Sequence, residues 1–300
     1  MIERKGKAAQ SLEVLCGSFG YTRQAYYKRQ RREERQAVMA ELIIQEVMKI
    51  RKQQKRMGVR KLHDRLSGFM AEHGIRMGRD AFYDLLREHS LLVRKRRLRK
   101  PRTTFSGPGR RYPNLIRDYI PTAANQVWVS DITYVRVKEG FGYLSLITDA
   151  YSRKIVGYNL YRDLSTKGCV AALRMALRNN PERDSLIHHS DRGLQYYSAA
   201  YRKVLGPSIR ISMTEKSDPL ENAIAERVNG ILKDELLDKR FRSFTEAREK
   251  IDEAVNIYNH HRPHLSIEML TPAEAHTRTG TIKRKWKNYY SARPIAQAAA

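Results

Sequence analysis

The spacing of hydrophobic residues divides the chain into a helical front part and a mixed second part. Up to about residue 93, apolar residues recur every three or four positions, which predicts amphipathic helices. Residues 11–30 predict two short helices around a Gly-containing turn, a longer helix is predicted from about Glu33 to Gln54, and residues 58–92 predict two more around a Gly-rich turn. Each pair is typical of a helix-turn-helix unit, and an ordinary helical bundle with solvated basic faces is the alternative.

After Pro113 the pattern changes to strands. Three β-branched and aromatic runs at 127–137, 142–152 and 153–161 predict an antiparallel meander. Helices are then predicted at about 166–178, 198–205, 221–237 and 243–259, with short strands at 185–190 and 209–213. Ser243 and Glu246 form the pattern of a capping box at the start of the last helix. The order βββαβαβαα predicts an α/β core, a mixed sheet flanked by helices, preceded by the all-α region.

Charge changes this picture by indicating a partner. The chain carries a net charge of +26 with a pI near 10.2, which makes nucleic acid the expected partner. Residues 1–112 hold 29 Lys and Arg against 11 Asp and Glu, so the front part is expected to bind most of the phosphates. No apolar run is long enough to span a membrane, and the start lacks a secretion signal, so the protein is expected to stay in the cytosol.

The two cysteines, Cys16 and Cys169, are far apart and lack metal-ligand spacing, which excludes a disulfide framework and a thiolate zinc site. Residues 94–112 are too basic and too rich in Pro and Gly to bury a core. They predict a linker that lies along DNA through Arg94, Lys95, Arg96, Arg97, Arg99 and Lys100. The predicted domains are therefore a helical DNA-binding region at 1–93, this linker at 94–112, a core at 113–278 and a basic tail at 279–300.

Three carboxylates occupy positions that suit metal-assisted phosphoryl transfer, which requires oxygen ligands converging from distant elements. Asp131 lies inside an apolar strand, where an unpaired charge is costly, and Asp191 ends a strand before a Gly-containing turn. Glu226 lies on a predicted helix, with Lys233 two turns later on the same face. Taken singly, each has an ordinary interpretation: a strand Asp is usually salt-bridged, and a helix Glu usually faces solvent.

Four segments make the pattern specific: WVSDITYV, HHSDRGLQYYS, ENAIAERVNGILKDEL and YNHHRPHLSIEMLTPAEA. In this order they resemble the orfB-encoded DDE transposases of the IS-three insertion-sequence family, whose core is similar to that of retroviral integrases, over about residues 10–275. The resemblance implies an RNase H-like fold and a triad of Asp131, Asp191 and Glu226 binding two Mg²⁺ or Mn²⁺ ions. It also implies a bacterial, nucleoid-associated protein whose partner is double-stranded DNA, both the terminal inverted repeats of the element and target DNA. The implied assembly is a homo-oligomer that acts with a companion upstream-frame protein or as a frameshifted fusion.

This sequence departs from the family pattern in two places. Asp191 and Glu226 are separated by 34 residues, one fewer than usual, with the shortfall near Gly206 to Ser208. Glu221 stands where the family usually has Asp. A surface loop tolerates the first difference, and the second leaves the role of Glu221 open.

Further residues are assigned by position. Gln195, Tyr196 and Asn222 are expected to position DNA beside the triad, and Arg79 and Arg87 are expected to contact DNA from a second recognition helix. Asp149 is expected at a turn outside the metal site. His188 and His189 are expected to pack beside the strand or bond a carboxylate, and Glu235 is expected on a face away from the site. A non-catalytic DNA-binding regulator and an RNase H-like nuclease that cannot join ends are the alternative functions.

Overall fold

The computed structural model describes residues 12–93, 112–181, 185–215, 219–283 and 285. The described residues fall into two compact units: residues 12–52 with 58–93, and residues 53–57 with the described residues from 112 onward. Residues 94–111 of the linker, including Arg94 to Lys100, and most of the tail lie outside the described residues, so the proposed domain boundaries stay predictions. In the described part of the chain, no helix is both long and apolar enough to cross a membrane.

The first unit is entirely helical, with α1 Leu12–Ser18, α2 Arg23–Gln53, α3 Val59–Arg65, α4 Ser67–Glu72 and α5 Arg79–Glu88. Its core contains Ile43 and Val47 of α2, Leu62 of α3, and Phe82 and Leu86 of α5, all buried. The predicted break before Glu33 is wrong, because α2 is one helix of 31 residues. No Gly or Pro interrupts residues 23–53, so nothing in that stretch ends the helix.

The second unit is built on a five-stranded sheet with β1 Val127–Val137, β2 Gly140–Asp149, β3 Ile155–Tyr161, β4 Ile187–Ser190 and β5 Arg210–Met213. The strand order is β3-β2-β1-β4-β5. β1, β2 and β3 pair antiparallel, whereas β4 runs parallel to both β1 and β5. This mixed sheet confirms the predicted RNase H-like fold.

Helices cover both faces of the sheet, and their bounds are α6 Thr166–Asn179, α7 Leu194–Tyr197, α8 Ala199–Leu205, α9 Ala223–Ile231, α10 Phe244–His260 and α11 Pro272–His276. One apolar cluster joins β1–β3 to α9 and α10, and includes Leu146 and Ile251. A second cluster joins the other face to α6 and α8, and includes Ile147 and Leu173. The neighbours Leu146 and Ile147 belong to opposite clusters because side chains alternate along a strand.

Two local features differ from the sequence prediction. The helix expected at 221–237 is a 3-10 turn at Pro219–Asn222, then α9, then a π-helical turn at Leu232–Leu236. At α10, Ser243 caps the backbone N–H of Glu246 as predicted, but the Glu246 carboxylate accepts from the N–H of Arg242 instead of Ser243. The hydrogen bond from the backbone to the Glu246 carboxylate is therefore made one residue earlier than in a regular capping box.

Candidate active site

The site begins where β1 and β4 run side by side. Ser130 of β1 is paired with Ser190 of β4, so the next residues, Asp131 and Asp191, follow neighbouring positions of two parallel strands. The N–H of Ile132 donates to Asp131 Oδ1 at 2.8 Å, and the N–H of Gly193 donates to Asp191 Oδ1 at 3.0 Å. The sheet thus places two carboxylates together although 59 residues separate them.

Helix α9 lies across this part of β1. Asn229 Nδ2 donates to Asp131 Oδ2 at 2.6 Å, and Lys233 Nζ, one turn later, donates to Thr133 Oγ1 at 3.0 Å. Asp131 and Thr133 share a face of the strand because they are two residues apart. Glu226 lies one turn before Asn229 on α9, and its charge acts on the Asp131 carboxylate.

The electrostatics of Asp131 follow from this arrangement. Burial, together with the charges of Asp191 and Glu226, raises the pKa of Asp131 to about 7 against the lowering effect of the two hydrogen bonds. Burial also raises the pKa of Asp191. Asp131 and Asp191 are partly buried and Glu226 is exposed, and a cation would stabilise a set of carboxylates that repel one another in this way. Nevertheless, within the described residues no three His, Cys, Asp or Glu side chains are arranged closely enough to hold a metal ion together.

Two histidines of β4 connect the site to its surroundings. His188 Nε2 lies 2.8 Å from both Ser130 Oγ and Tyr201 Oη, while His189 bonds Ser212 Oγ at 2.8 Å and the Glu221 carbonyl at 3.1 Å. Burial lowers the pKa of His188 to about 3 and that of His189 to about 4. Both rings are therefore neutral at pH 7, and they bond hydroxyls and a carbonyl, not the carboxylate that the sequence had suggested as one option.

The chain is similar to known transposases and integrases. The integrase core domain family matches residues 121–219 and 207–272. The 31 kDa protein of insertion element IS600 from Shigella sonnei is 35% identical over 265 residues, which cover 86% of this chain and 96% of that protein. This chain belongs to the insertion-sequence transposases of the IS-three family.

Other relatives match over a shorter stretch of the transposase. A putative transposase for IS986/IS6110 from Mycobacterium tuberculosis is 33% identical over 183 residues, covering 58% of this chain and 66% of that protein. The transposase for IS904 from Lactococcus lactis is 34% identical over 166 residues, covering 54% and 66%. Among solved structures, the integrase catalytic core domain of HTLV-2 in complex with magnesium matches with 17% identity and a TM-score of 0.42, covering 52% of this chain and 99% of that one.

The predicted DNA-contacting residues of the core have different surroundings in this transposase. Lys233 is partly exposed, and its Nζ lies 3.9 Å from the centre of the Tyr134 ring. Gln195 is partly exposed and donates to the Leu164 carbonyl at 2.8 Å. Both side chains are at the surface and lie on elements that adjoin the carboxylates.

Tyr196 and Asn222 are buried, which argues against the contacts with DNA expected for them. The ring of Tyr196 is 3% exposed and packs edge-on against Tyr201. Asn222 Nδ2 donates to the Ser130 carbonyl at 3.0 Å. Their physical role in this structure is to hold α7 and the start of α9 against the sheet.

Asp149 is the buried last residue of β2, where the turn to β3 begins. Its carboxylate accepts from the backbone N–H groups of Asn125, Tyr151 and Ser152 and from the Ser152 hydroxyl. These four bonds offset the cost of burying the charge and shape the turn between β2 and β3. Its oxygens are therefore already used within the fold.

Asn229 and His189 contribute contacts that the sequence did not single out. Asn229 follows Glu226 by three residues, and that spacing on one helix face could have indicated a shared site. His189 bonds a backbone carbonyl, and a bond of that kind leaves no trace in sequence spacing. Glu235 was expected on a face away from the site, and its carboxylate pairs with the buried Arg262, a contact that the sequence did not indicate.

In the helical unit, Arg79 and Arg87 are exposed on α5. Arg79 Nε lies 3.3 Å from Asp80, and the Arg87 guanidinium lies 3.1 Å from Asp84 and over the ring of Tyr83. Surface pairs of this kind are weak and exchange readily for other anions. Both arginines remain accessible on the helix predicted to read DNA.

Proposed function

We propose that this transposase cleaves the ends of an insertion sequence and joins the resulting 3′-hydroxyl to DNA by two-metal phosphoryl transfer. Asp131, Asp191 and Glu226 would hold two Mg²⁺ or Mn²⁺ ions. The observation that supports this most directly is the parallel pairing of β1 with β4, which brings the partly buried Asp131 and Asp191 to neighbouring positions beside α9. When bound, such a pair of ions activates the attacking oxygen and stabilises the leaving oxygen.

The protein's own residues prepare this chemistry in the absence of the ions. Asn229 and the N–H of Ile132 each bond one oxygen of Asp131 and so restrict its orientation. The N–H of Gly193 does the same for Asp191. Lys233 supplies a positive charge beside the carboxylates, where it would bind a DNA phosphate.

The partner would be double-stranded DNA, both the terminal inverted repeats and the target. The net charge of +26 and the exposed arginines of α5 support this partner. Joining two ends of one element requires more than one active site, so a homo-oligomer assembled on DNA is part of the proposal. The companion upstream-frame protein or a frameshifted fusion would complete it.

The test is a strand-transfer assay on a labelled duplex whose sequence is read from the DNA that flanks the gene. Glu226→Gln keeps the side-chain shape but removes a charge from the proposed ion site, so nicking and joining should fall by about three orders of magnitude or more. Binding to the same duplex should persist, since a repulsion toward phosphate is removed.

Glu249→Gln is the matched control, because Glu249 is an exposed residue of α10. It should leave strand transfer and binding unchanged. Normal strand transfer by the Glu226 variant would overturn the assignment of the third carboxylate. A wild-type chain that binds the duplex but neither nicks nor joins would favour a DNA-binding regulator, and nicking without joining would favour a nuclease.

A further inference from the structure

The first half of α2 extends into solvent. Every residue from 17 to 38 is exposed, whereas Ile43 and Val47 in the second half are buried in the helical unit. Residues 23–38 correspond to about 24 Å of helix at 1.5 Å per residue. A helix half without a packed face is stabilised only by its own side chains or by a partner.

The charges on this half are sorted by face. Lys28, Arg31, Arg32 and Arg35 occupy positions i, i+3, i+4 and i+7, so they form a single stripe, here called the α2 basic stripe. None of the four forms an ion pair with a carboxylate in the described part of the chain. The two acidic residues lie on the other side of the helix, where Glu33 accepts from Arg29 at 2.7 Å and Glu34 accepts from Gln30 at 3.3 Å.

Four like charges on one helix face repel one another at i,i+4 spacing, and that repulsion is relieved by a polyanion. The stripe spans about 10 Å, a length over which duplex DNA presents about six phosphates on its two strands. A membrane surface fits less well because the opposite face carries Gln30, Glu33 and Glu34 and is not apolar.

We infer that the α2 basic stripe is a phosphate-binding surface for double-stranded DNA, separate from α5 and from the carboxylate site. It contacts the backbone and carries no base specificity, since its four side chains are cations at regular spacing and reach phosphates of any sequence. The inference rests on the proposed function for the identity of the polyanion. Beyond the proposed function, the inference identifies the face of the helical unit that binds the duplex.

The experiment measures how the affinity of the full chain for a random-sequence duplex of about 30 base pairs depends on salt. A variant with all four stripe residues replaced by Gln keeps helix propensity and lowers the charge by four. The slope of log affinity against log salt should become shallower by about 3 to 4. The control variant replaces four exposed basic residues of the second unit by Gln, namely Arg202, Lys203, Arg210 and Lys239, and should change the slope by less than about 1.

A second measurement uses the unmodified chain, so it does not depend on a variant folding. Amide hydrogen exchange of residues 23–38 should slow when the random duplex is added, because a helix half held on DNA frays less. An unchanged slope in the stripe variant, an equal change in the control variant, or unchanged exchange would each overturn the inference. If the chain binds the duplex but the stripe variant has an unchanged slope, this inference alone is wrong. If the slope depends on the stripe but the chain shows no strand transfer, only the proposed function is wrong. If the chain does not bind the duplex at all, both are wrong.

Discussion

His189 Nε2 donates to the backbone carbonyl of Glu221 at 3.1 Å, and this bond ties β4, which ends just before Asp191, to the turn that begins α9. Because a carbonyl only accepts, Nε2 carries the proton, and Nδ1 then accepts from the Ser212 hydroxyl at 2.8 Å. Ser212 Oγ accepts in turn from the N–H of Leu115. The chain of bonds fixes the tautomer of a buried, neutral ring.

Replacing His189 by Leu should therefore destabilise the core by about 2–4 kcal/mol, since a buried carbonyl and a buried hydroxyl lose their partners. His189→Gln can still donate at the far position and should lose less. Urea unfolding monitored by circular dichroism measures both. A Leu variant as stable as the wild type would show that these bonds contribute nothing net.

The ionised carboxylate of Asp131 should lower the free energy of unfolding of the protein. Its folded-state pKa is raised to about 7, so the stability associated with the protonated form is fully present below the unfolded pKa and is lost as pH rises through 7. Asp131→Asn removes the charge and should be more stable than the wild type by about 2 kcal/mol at pH 8 in metal-free buffer. At pH 5 the difference should be smaller. Urea unfolding at the two pH values checks this, and a variant that is less stable at pH 8 contradicts it.

Glu235→Gln should be strongly destabilising. Arg262 has a side chain only 2% exposed, and its guanidinium donates to both oxygens of Glu235 at 2.8 and 2.9 Å. Removing the carboxylate leaves a buried cation uncompensated, at a cost of about 3–5 kcal/mol. The same change at the exposed Glu249 should alter the unfolding free energy by less than about 0.5 kcal/mol. Equal melting temperatures for the two variants would refute the role of this pair.

Gly157 should not tolerate even a methyl group. A Cβ there would lie 2.3 Å from the Ala172 carbonyl oxygen and 2.8 Å from the Ala176 Cβ, because α6 packs directly on β3. Gly157→Ala should cost about 2–4 kcal/mol, measured as a fall in melting temperature. The control is Gly230→Ala in α9, where nothing lies within 4 Å of the added atom, and it should be neutral or stabilising. Similar effects at both positions would contradict the close approach of α6.

The sequence alone determined the five strands of the second unit and the approximate positions of α6, α8, α9 and α10. The run at 127–137 predicted β1 with its observed bounds because its content of β-branched and aromatic residues is a local property of the sequence. The motifs around Asp131, Asp191 and Glu226 similarly indicated the fold and the family, and both are confirmed. The uninterrupted α2 was missed because the sequence was divided into two helices before Glu33, where no Gly or Pro ends the helix.

Only the tertiary structure decided how distant residues meet. The parallel pairing of β1 with β4 places Asp131 beside Asp191, and the packing of α9 on β1 brings Asn229 to Asp131. It also buried Tyr196 and Asn222, which the sequence had assigned to DNA, and paired Glu235 with Arg262. Helix and strand patterns are properties of neighbouring residues, whereas burial and hydrogen-bond partners depend on which elements pack together. The periodicity along one segment carries no information about the segment that covers it.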